Sequence, residues 1–365
     1  MTKKRPKIYW CLYPLALLYG LIIHIRNKMF DWNILKSRSF HLPVICIGNI
    51  SVGGTGKTPH TEYLINLLKE DFHVAVLSRG YKRKSKGFVM AKPSSTPHDI
   101  GDEPYQMAHK FVNIAVAVDA DRCNGIEQLT NRMKPDVILL DDAYQHRYVK
   151  PGFTILLIDY NRPIYTDCML PAGRLREAAS GKDRADIIII TKCPEQISAQ
   201  QMSEIKDNIK PLNHQLLFFT YFQYCSLKHF MDSTRELPLT SLNRDSHILL
   251  LTGIASPLPL INELKKYTEH IEPVSFADHH DFTEADMEQI ETQFNNLPQR
   301  GRMIITTEKD AARLANCPVL STNLKQQIFI LPIEVKFIKD EGELFNSKII
   351  EYVKQNSRNS SLHQG

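Results

Sequence analysis

The segment Pro43–Thr58, PVICIGNISVGGTGKT, joins a short apolar run to a glycine-rich turn that ends in a Lys-Thr pair. The turn fits the Walker A pattern of phosphate-binding loops in its last three positions, while Ser51 stands where the strict motif has glycine. A helical pattern through Leu64, Leu67 and Leu68 follows. Because a strand, a loop, a Lys-Thr pair and a helix occur in this order, the segment predicts a nucleotide site rather than an empty glycine turn.

The composition of this turn suits a chain of phosphates. Its glycines let backbone N–H groups close around phosphate oxygens without a Cβ in the way. Lys57 brings a positive charge to the β- and γ-phosphates, and the Thr58 hydroxyl can coordinate Mg²⁺. The helix that follows adds the positive end of its dipole. The expected nucleotide-binding residues are Ser51, Val52, Gly53, Gly54, Thr55, Gly56, Lys57 and Thr58.

Five further apolar runs have the length and composition of buried strands. Segments of helical length, such as Tyr105–Phe111 and Asn124–Met133, lie between several of them. Fully apolar strands that alternate with helices predict an α/β fold, with a P-loop NTPase-type parallel sheet and helices on both faces. The five runs are His73–Leu77, Ile114–Val118, Val137–Leu140, Thr154–Ile158 and Asp186–Ile190.

Two acidic residues, Asp141 and Asp142, directly follow the apolar run Val137–Leu140. Ligands of parallel sheets gather at the carboxyl ends of the strands, so these acids are expected on the same edge as the phosphate loop. One of the two carboxylates would hold Mg²⁺ directly or through water. Taken alone, the two acids are also compatible with an ordinary turn at the end of a strand.

A second, smaller α/β unit is indicated in the C-terminal third. It begins with the strand His247–Leu251 and includes the strand Met303–Thr306. The apolar and aromatic segments Gln215–Cys225 and Gln326–Phe337 are expected to pair as a two-stranded connector that brackets it. The predicted domains are an N-terminal membrane-associated helix (1–35), a P-loop core (36–225), a smaller C-terminal α/β domain (226–325), a return strand with a terminal helix (326–355) and a flexible tail (356–365).

The N-terminal segment differs in composition from the rest. Basic residues among the first seven precede Ile8–Ile25, an acid-free run whose length is at the short end for crossing a bilayer. Pro14 and Gly20 would bend or weaken a helix there, and Arg26 and Lys28 place positive charge beyond it. A membrane span, a helix lying in the interface, a cleaved signal peptide and a buried core helix are all open, and the first two attach the chain to a membrane surface.

Bulk composition narrows the classes of function. The 365 residues fit about two domains, and 43% hydrophobic with 23% charged residues excludes wholesale disorder. A net charge of +5 suits an anionic substrate or a membrane surface and is too small to indicate a nucleic acid partner. Seven scattered cysteines without a CxxC pair predict reduced thiols in a cytosolic compartment, with no disulfide framework or zinc site.

Several motifs around these features resemble those of the tetraacyldisaccharide 4'-kinase family. The extended loop Gly48–Pro59, including Ser51, is similar to the family's loop and is the most specific of them. The motifs follow the family's order from the N-terminal segment to Asp310 and cover most of the chain. One departure is Ala143-Tyr144, where the family usually reads Gly-Phe. The other motifs are Ser78–Tyr81, Gly101–Pro104, Asp141–His146, Leu170–Glu177 and Phe276–Phe282.

The resemblance implies transfer of the ATP γ-phosphate to the 4'-hydroxyl of a tetraacyl glucosamine disaccharide 1-phosphate, which forms lipid IVA in lipid A (lipopolysaccharide) biosynthesis. It implies ATP and Mg²⁺ as cofactors, an acylated lipid substrate, and a place on the cytoplasmic face of the inner membrane, with attachment through the N-terminal helix. No nucleic acid and no obligate protein partner are expected. A sugar hydroxyl is a poor nucleophile at neutral pH, so it needs a base near its proton and cations around the transferred phosphoryl group.

By the same resemblance, Asp102 would be the base, with His279 paired to it and Lys57 completing the catalytic set. From the residues alone, Asp102 is equally suited to cap a helix before Pro104, and His279 is suited to a surface turn or a core position. Whether His279 or His280 faces the site is open. The implied metal ligands are Thr58, Asp141, Asp142 and Glu103.

Residues that bind the acceptor are expected among cationic and polar side chains of the family-like motifs. Arginine is suited to this role because its planar fork matches the geometry of a phosphate. The basic stretch Tyr81–Lys86 is compatible with binding the substrate's 1-phosphate or anionic headgroups, and equally with a solvated loop. The candidates are Arg79, Tyr81, Arg122, Gln145, Arg174 and Arg176.

Two other classes of function compete with a kinase. A switch-type P-loop NTPase or a metallochaperone would use hydrolysis to control a membrane partner. Guanine selectivity in many such proteins needs an Asn-Lys-x-Asp motif, whereas residues 191–194 read TKCP, and the sequence has no Cys/His cluster to carry a metal. A non-catalytic membrane scaffold would not need an intact Lys57, Thr58 and Asp141.

Overall fold

The computed structural model of the chain describes residues 8–254, 256–278 and 280–362, which form two β-sheets flanked by helices. The strands are β1 (Val44–Gly48), β2 (Val74–Ser78), β3 (Val89–Met90), β4 (Ala115–Val118), β5 (Val137–Asp141), β6 (Phe153–Asp159), β7 (Ile187–Thr191), β8 (Leu216–Tyr224), β9 (Leu227–His229), β10 (Glu236–Leu237), β11 (His247–Thr252), β12 (Ile271–Ser275), β13 (Arg302–Thr306), β14 (Ile328–Ile330) and β15 (Ile333–Phe337). The α-helices are α1 (Tyr13–Asp31), α2 (Lys57–Leu68), α3 (Pro97–Ile100), α4 (Asp102–Lys110), α5 (Arg122–Met133), α6 (Ala199–Ile209), α7 (Leu258–Leu264), α8 (Glu284–Asn296), α9 (Glu308–Leu314), α10 (Thr322–Lys325) and α11 (Gly342–Leu362).

The larger sheet carries the phosphate loop near its middle. Its nine strands lie in the order β15-β8-β7-β6-β1-β5-β2-β4-β3. β1 pairs in parallel with β5 on one side and with β6 on the other, and Ile47 lies opposite Asp141. The loop after β1 and the acids at the end of β5 are therefore neighbours. The predicted parallel sheet is confirmed, with the antiparallel strands β3 and β15 at its two edges.

Helices cover both faces of the larger sheet. Ile45 of β1 packs in one buried cluster with Leu64 of α2 and Phe345 of α11. Its neighbour Cys46 packs in a second cluster with Ile126 of α5, on the opposite side of the strand. Full burial of an aliphatic or aromatic side chain contributes roughly 1.5–3 kcal/mol. Because β1 is packed on both sides, the position of the turn at its end is fixed by the core.

The smaller sheet is joined to the larger one by a two-stranded ribbon. Its six strands lie in the order β10-β9-β14-β13-β11-β12, with β11 to β14 parallel to one another. β8 pairs with β15 in the larger sheet, β9 pairs with β14 in the smaller one, and Cys225 N–H donates to the Pro332 carbonyl between the two pairs. The predicted connector is thus present, and each half of it completes a different sheet.

Several elements differ from their sequence-based expectation. The strand β12, with Glu272 and Pro273 exposed in its centre, lacks the apolar pattern by which a strand is predicted. α4 begins at Asp102, before the helical pattern that starts at Tyr105. The helix α11 continues to Leu362, so it enters the segment that was expected to be a flexible tail.

The N-terminal helix α1 lies against the loop that contains Arg176. Tyr19 Oη donates to the Arg176 carbonyl at 2.9 Å, and Asn27 Nδ2 donates to Glu177 Oε2 at 3.3 Å. Most of its other apolar side chains face outwards. Within the described ranges, no helix combines the length and the apolar character that crossing a membrane requires. The side chains exposed over more than half of their surface are Leu15, Leu17, Leu18, Leu21, Ile22 and Ile25, with Trp10 in the preceding turn.

Candidate active site

The phosphate turn needs glycine where it bends into α2. Gly53 and Gly56 have φ angles of 110° and 89°, which residues with a Cβ rarely adopt. A Cβ at Gly56 would also lie 2.8 Å from the Phe222 ring. Position 56 therefore excludes other residues by backbone conformation and by space.

Hydrogen bonds from neighbouring segments hold the turn in shape. Asn49 Nδ2 donates to Thr55 Oγ1 at 2.8 Å, and Thr191 Oγ1 donates to the Thr55 carbonyl at 2.8 Å. The Val52 N–H donates to the Arg174 carbonyl at 2.8 Å. Because the turn is anchored from three segments, its shape is fixed without help from a ligand.

Two cations beside the turn were not predicted from the sequence. Lys192 Nζ contacts the Gly54 carbonyl and lies 3.0 Å from Asp159 Oδ2. The guanidinium of Arg162 lies close to Gly53, since a Cβ there would be 2.9 Å from its Nη1. The sequence presents Lys192 only as part of a mismatched guanine motif, and it has no pattern that singles out Arg162. Their positions depend on the order of the sheet, in which β6 lies next to β1 and β7 lies next to β6.

Lys57 links the phosphate turn to the acids after β5. Its Nζ lies 3.6 Å from Asp142 Oδ1, and Arg176 Nη1 donates to the same oxygen at 3.2 Å. Arg122 Nη2 donates to the Asp142 carbonyl at 3.4 Å. Asp142 itself has a φ of 48°, which turns the chain sharply at the strand end. Two cations therefore converge on one carboxylate at the mouth of the turn.

The pKa values of the two neighbouring acids, Asp141 and Asp142, are shifted in opposite directions. Asp141 is almost fully buried, and burial, followed by the charge of Asp142, raises its pKa to about 6. Burial also acts to raise the pKa of Asp142, but the charges of Lys57, Arg176 and Arg122 outweigh it and lower that pKa. Asp142 is thus held as an anion, whereas at Asp141 the charge of Lys57 does not outweigh burial and the charge of Asp142.

These oxygen donors fit a magnesium ion. Asp141 accepts hydrogen bonds from Thr61 Oγ1 at 3.3 Å and from Ser78 Oγ at 3.2 Å, which orient its carboxylate. In the described part of the chain no three His, Cys, Asp or Glu side chains form a group able to hold a metal. Mg²⁺ is usually bound by one or two carboxylates together with substrate phosphates, so a dedicated cage is not needed. A buried acid with a raised pKa is a group that a divalent cation would stabilise in its charged form.

Gln145 connects the acids to the N-terminal helix. Its Nε2 donates to the Asn49 carbonyl at 2.6 Å and to Glu177 Oε1 at 3.0 Å, and its Oε1 accepts from Arg176 at 3.3 Å. The Gln145 carbonyl accepts from Arg26 of α1 at 3.3 Å. The predicted acceptor residues Gln145, Arg176 and Arg122 are therefore gathered around Asp142.

The remaining predicted acceptor residues lie at two other places. Arg79 and Tyr81 are exposed after β2. Burial, with a smaller contribution from the charge of Arg79, lowers the pKa of Arg122. Arg174 supports the phosphate turn through its carbonyl, and its own N–H donates a hydrogen bond to Asp167 Oδ1 at 3.1 Å. A cavity of about 520 Å³ is lined by Arg79, Tyr81, Lys82, Arg83, Lys86 and Ala120.

Asp102 and Glu103 open α4 and face the smaller domain. Asp102 is the first residue of the helix, and Gly101 before it occupies the N-cap position. Arg313 of α9 donates to Asp102 Oδ2 at 2.7 Å and 3.1 Å, and Lys309 lies 3.3 Å from Glu103. The charge of Glu103 also acts to raise the pKa of Asp141, which places Glu103 near that carboxylate.

Of the two histidines, only His280 belongs to the described part of the chain. The predicted partner of Asp102, His279, lies outside the described residues. His280 Nε2 lies 2.8 Å from Asp286 Oδ2, and its ring stacks on Phe276 with centroids 4.8 Å apart. His280 is therefore committed to contacts within the smaller domain.

Comparison with known families decides the identity of the chain. The model of the family Tetraacyldisaccharide-1-P 4'-kinase matches residues 8–353. The chain belongs to the tetraacyldisaccharide 4'-kinase family. It is accordingly an ATP-dependent kinase of lipid A biosynthesis that phosphorylates the 4'-position of the disaccharide precursor. The kinase interpretation is thus confirmed over the switch and scaffold alternatives.

Curated relatives and a solved structure agree with this assignment. The tetraacyldisaccharide 4'-kinase of Phocaeicola vulgatus is 55% identical over 98% of each chain. That of Bacteroides thetaiotaomicron is 52% identical over 98% of this chain and 97% of its own. The crystal structure of LpxK from Aquifex aeolicus in complex with ATP superposes with a TM-score of 0.72 at 29% identity, covering 94% of this chain and 98% of that one.

As a tetraacyldisaccharide 4'-kinase, the chain carries charged groups near its site that the motifs do not point to. Lys192 and Arg162 flank the phosphate turn, and Lys309 and Arg313 reach the start of α4 from the smaller domain. A Lys or Arg outside a recognised motif has no sequence signal that separates it from a solvated surface charge. Only their positions in the fold distinguish these four.

Proposed function

We propose that the Gly53–Thr58 turn holds the triphosphate of Mg-ATP and that the residues around Asp142 and Asp102 place the 4'-hydroxyl of the lipid acceptor against its γ-phosphate. The observation that carries this proposal is the convergence of Lys57 and Arg176 on Asp142, next to the buried Asp141. Phosphoryl transfer depends on position and on charge stabilisation, and this edge of the sheet supplies cations and carboxylates for both.

On the nucleotide side, Lys57 would leave Asp142 to contact the β- and γ-phosphates. Its present distance of 3.6 Å is long for a tight ion pair, so little is lost when it moves. The N-terminus of α2 adds its dipole to the same phosphates. Thr58, Asp141 and Asp142 would hold Mg²⁺, with Glu103 in reach of the same region; when bound, the ion neutralises charge on the β- and γ-phosphate oxygens.

On the acceptor side, Asp102 would take the proton of the 4'-hydroxyl, and His279 would be paired with it. The hydroxyl oxygen then forms a bond to the γ-phosphorus, the bond from that phosphorus to the bridging oxygen breaks, and ADP leaves. A base positioned in this way typically contributes 10²–10⁴-fold to the rate. The position of Asp102 at the start of α4, beside Glu103, supports this role.

Arginines near Asp142 are suited to bind the phosphorylated acceptor. Arg122 is only 2% exposed, and among the described side chains its Nε is a buried donor without a hydrogen-bond partner. Burying such a donor costs free energy unless a ligand accepts a hydrogen bond from it. Arg176 donates to the Asp142 carboxylate and to Gln145, and Arg174 lies in the same loop as Arg176. The basic cavity lined by Arg79 and Tyr81 would bind the 1-phosphate of the acceptor.

Attachment to the cytoplasmic face of the inner membrane would use α1. Its outward-facing side chains, which include Leu18 and Ile22, form an apolar surface on the helix. Tyr19 of the same helix donates a hydrogen bond to the Arg176 carbonyl and so fixes the helix beside the site. A helix of this kind lies in the plane of the interface, with its apolar side in the acyl boundary. An acylated substrate would then remain in the membrane while its sugar enters the site.

The direct test incubates the purified protein in detergent with γ-labelled ATP, Mg²⁺ and the disaccharide 1-phosphate acceptor. We expect the label on the lipid, with transfer that depends on the acceptor. A parallel reaction with the 4'-deoxy acceptor controls for hydrolysis. Label that appears only as free phosphate, with none on lipid, would contradict the proposed arrangement of the acceptor.

A further inference from the structure

Helix α9 of the smaller domain presents two cations to the first turn of α4. Lys309 and Arg313 are four residues apart, so they lie on the same face of the helix. Lys309 Nζ lies 3.3 Å from Glu103 Oε1, and Arg313 donates to Asp102 Oδ2 from Nη2 at 2.7 Å and from Nε at 3.1 Å. The consecutive acids at the start of α4 are thus each paired with a cation from the other domain.

Arg313 is also fixed by two acidic residues of its own domain, Asp310 and Asp278. Its Nη1 donates to Asp310 Oδ1 at 3.1 Å, and Nη2 lies 3.6 Å from Asp278 Oδ1. Asp310 is fully buried and accepts a hydrogen bond from the Gly253 N–H at 2.9 Å. Burial alone would lower the pKa of Arg313, but its bonds and charges with Asp102, Asp310 and Asp278 raise it. The guanidinium is therefore a fixed, charged fork rather than a mobile surface side chain.

This fork determines how the Asp102 carboxylate is oriented. Two N–H donors on the single oxygen Oδ2 restrict rotation of the carboxylate about its last side-chain bond. The side chain of Arg313 is 6% exposed, so water competes little for these bonds. A displacement of about 1 Å at a reacting group can cost roughly 10²-fold in rate. The smaller domain thus sets a geometry on which proton transfer depends.

We propose that Arg313 is a positioning residue for phosphoryl transfer, which holds Asp102 at the acceptor hydroxyl and makes the smaller domain part of the active site. The inference rests on the proposed role of Asp102 as the base. Lys309 assists by pairing with Glu103 and, at 3.0 Å, with Asp278. The nucleotide turn lies entirely in the larger domain, so loss of Arg313 acts on chemistry and leaves ATP binding intact.

The structure offers a matched control on the same two helices. Lys110, at the other end of α4, lies 2.6 Å from Glu308 Oε1 of α9 and 2.6 Å from Glu62 Oε2. Glu308→Gln removes an ion pair between the same helices and the same domains without touching Asp102. An effect of Arg313 that merely reflected weaker contact between the domains would appear in this variant as well.

The experiment compares Arg313→Gln, Arg313→Lys and Glu308→Gln in the full-length protein, with steady-state transfer to the disaccharide 1-phosphate and with ATP affinity measured separately. We expect Arg313→Gln to lower kcat by about 30–100-fold with the ATP Kd within about threefold of wild type. Arg313→Lys retains the charge without the fork and should recover part of the loss. Glu308→Gln should stay within about twofold.

Asp102→Asn separates failure of this inference from failure of the proposed base. If Asp102→Asn is nearly inactive while Arg313→Gln matches Glu308→Gln, the inference is wrong and the base stands. If Asp102→Asn keeps wild-type kcat, both are wrong. A joint loss of kcat and ATP affinity in Arg313→Gln, or in Arg313→Lys should the first variant not fold, also overturns the inference. In the double variant, the Arg313 change should add little to the loss caused by Asp102→Asn.

Discussion

The nucleotide turn and the α4–α9 contact both fix charged groups at the site, but they are built in different ways. The turn is one continuous segment that follows a strand buried on both sides, and it includes Lys57, the first residue of α2. The α4–α9 contact joins Asp102 to Arg313, residues from two domains that are far apart in the chain. The turn therefore requires only the larger sheet to be intact, whereas the orientation of Asp102 also requires the two domains to be correctly placed.

This difference separates ATP binding from phosphoryl transfer. Damage to the turn should affect every step that involves the triphosphate. Damage at the start of α4 should leave ATP bound and slow only the chemical step.

Lys57→Ala should have the largest effect. Loss of the charge beside the transferred phosphoryl group removes stabilisation from both the bound triphosphate and the transition state, so we expect kcat/KM to fall by about 10³-fold or more. Transfer of label from ATP to lipid measures this. Lys69→Ala, at the other end of α2, is the control and should behave as wild type. A near-normal rate in Lys57→Ala would show that the turn is not the phosphate site.

Asp102→Ala should reduce kcat by about 10²-fold or more, because a positioned base typically contributes at least that much. The ATP Kd, measured by fluorescence titration with a nucleotide analogue, should change less than about threefold. If instead ATP affinity falls while kcat is retained, Asp102 serves the nucleotide, and the contrast between the two regions is lost.

Asp141→Asn should abolish transfer and yet stabilise the nucleotide-free protein. In the folded protein the pKa of Asp141 is raised to about 6, so ionising this carboxyl lowers the stability of the fold. The loss of stability is zero below the unfolded-state pKa and reaches its full size above pH 6. The variant should gain about 2–3 kcal/mol in unfolding free energy at pH 7.5. Urea denaturation at several pH values checks this, and the gain should vanish near pH 4. A variant that is less stable at pH 7.5 would contradict the assigned cost.

The smallest effect on chemistry is expected from changes in helix α1, the proposed membrane anchor. Leu18→Glu with Ile22→Glu places charges on two exposed positions of α1, so binding to vesicles of mixed zwitterionic and anionic phospholipid should fall by about tenfold or more. Transfer to acceptor dispersed in detergent should remain within about twofold. Leu344→Glu, an exposed position on α11, is the control. Unchanged sedimentation with vesicles would exclude α1 as the anchor.

The sequence by itself determined the features that depend on neighbouring residues. Apolar runs, the glycines of the turn and the acids after Val137–Leu140 carry their own signals, because strand burial, a positive φ and metal binding each demand particular residue types in a short stretch. The parallel sheet, the phosphate loop and the family could therefore be predicted from it.

The tertiary structure alone decided which distant charges meet. Lys192 faces the phosphate turn because β7 lies two strands from β1, and Arg313 reaches Asp102 because the ribbon of β8, β9, β14 and β15 places the smaller sheet beside α4. A charged side chain has the same local pattern whether it is solvated or paired across the molecule. Its partner, and with it the pKa of a group such as Asp141, is set by burial and by distance in space.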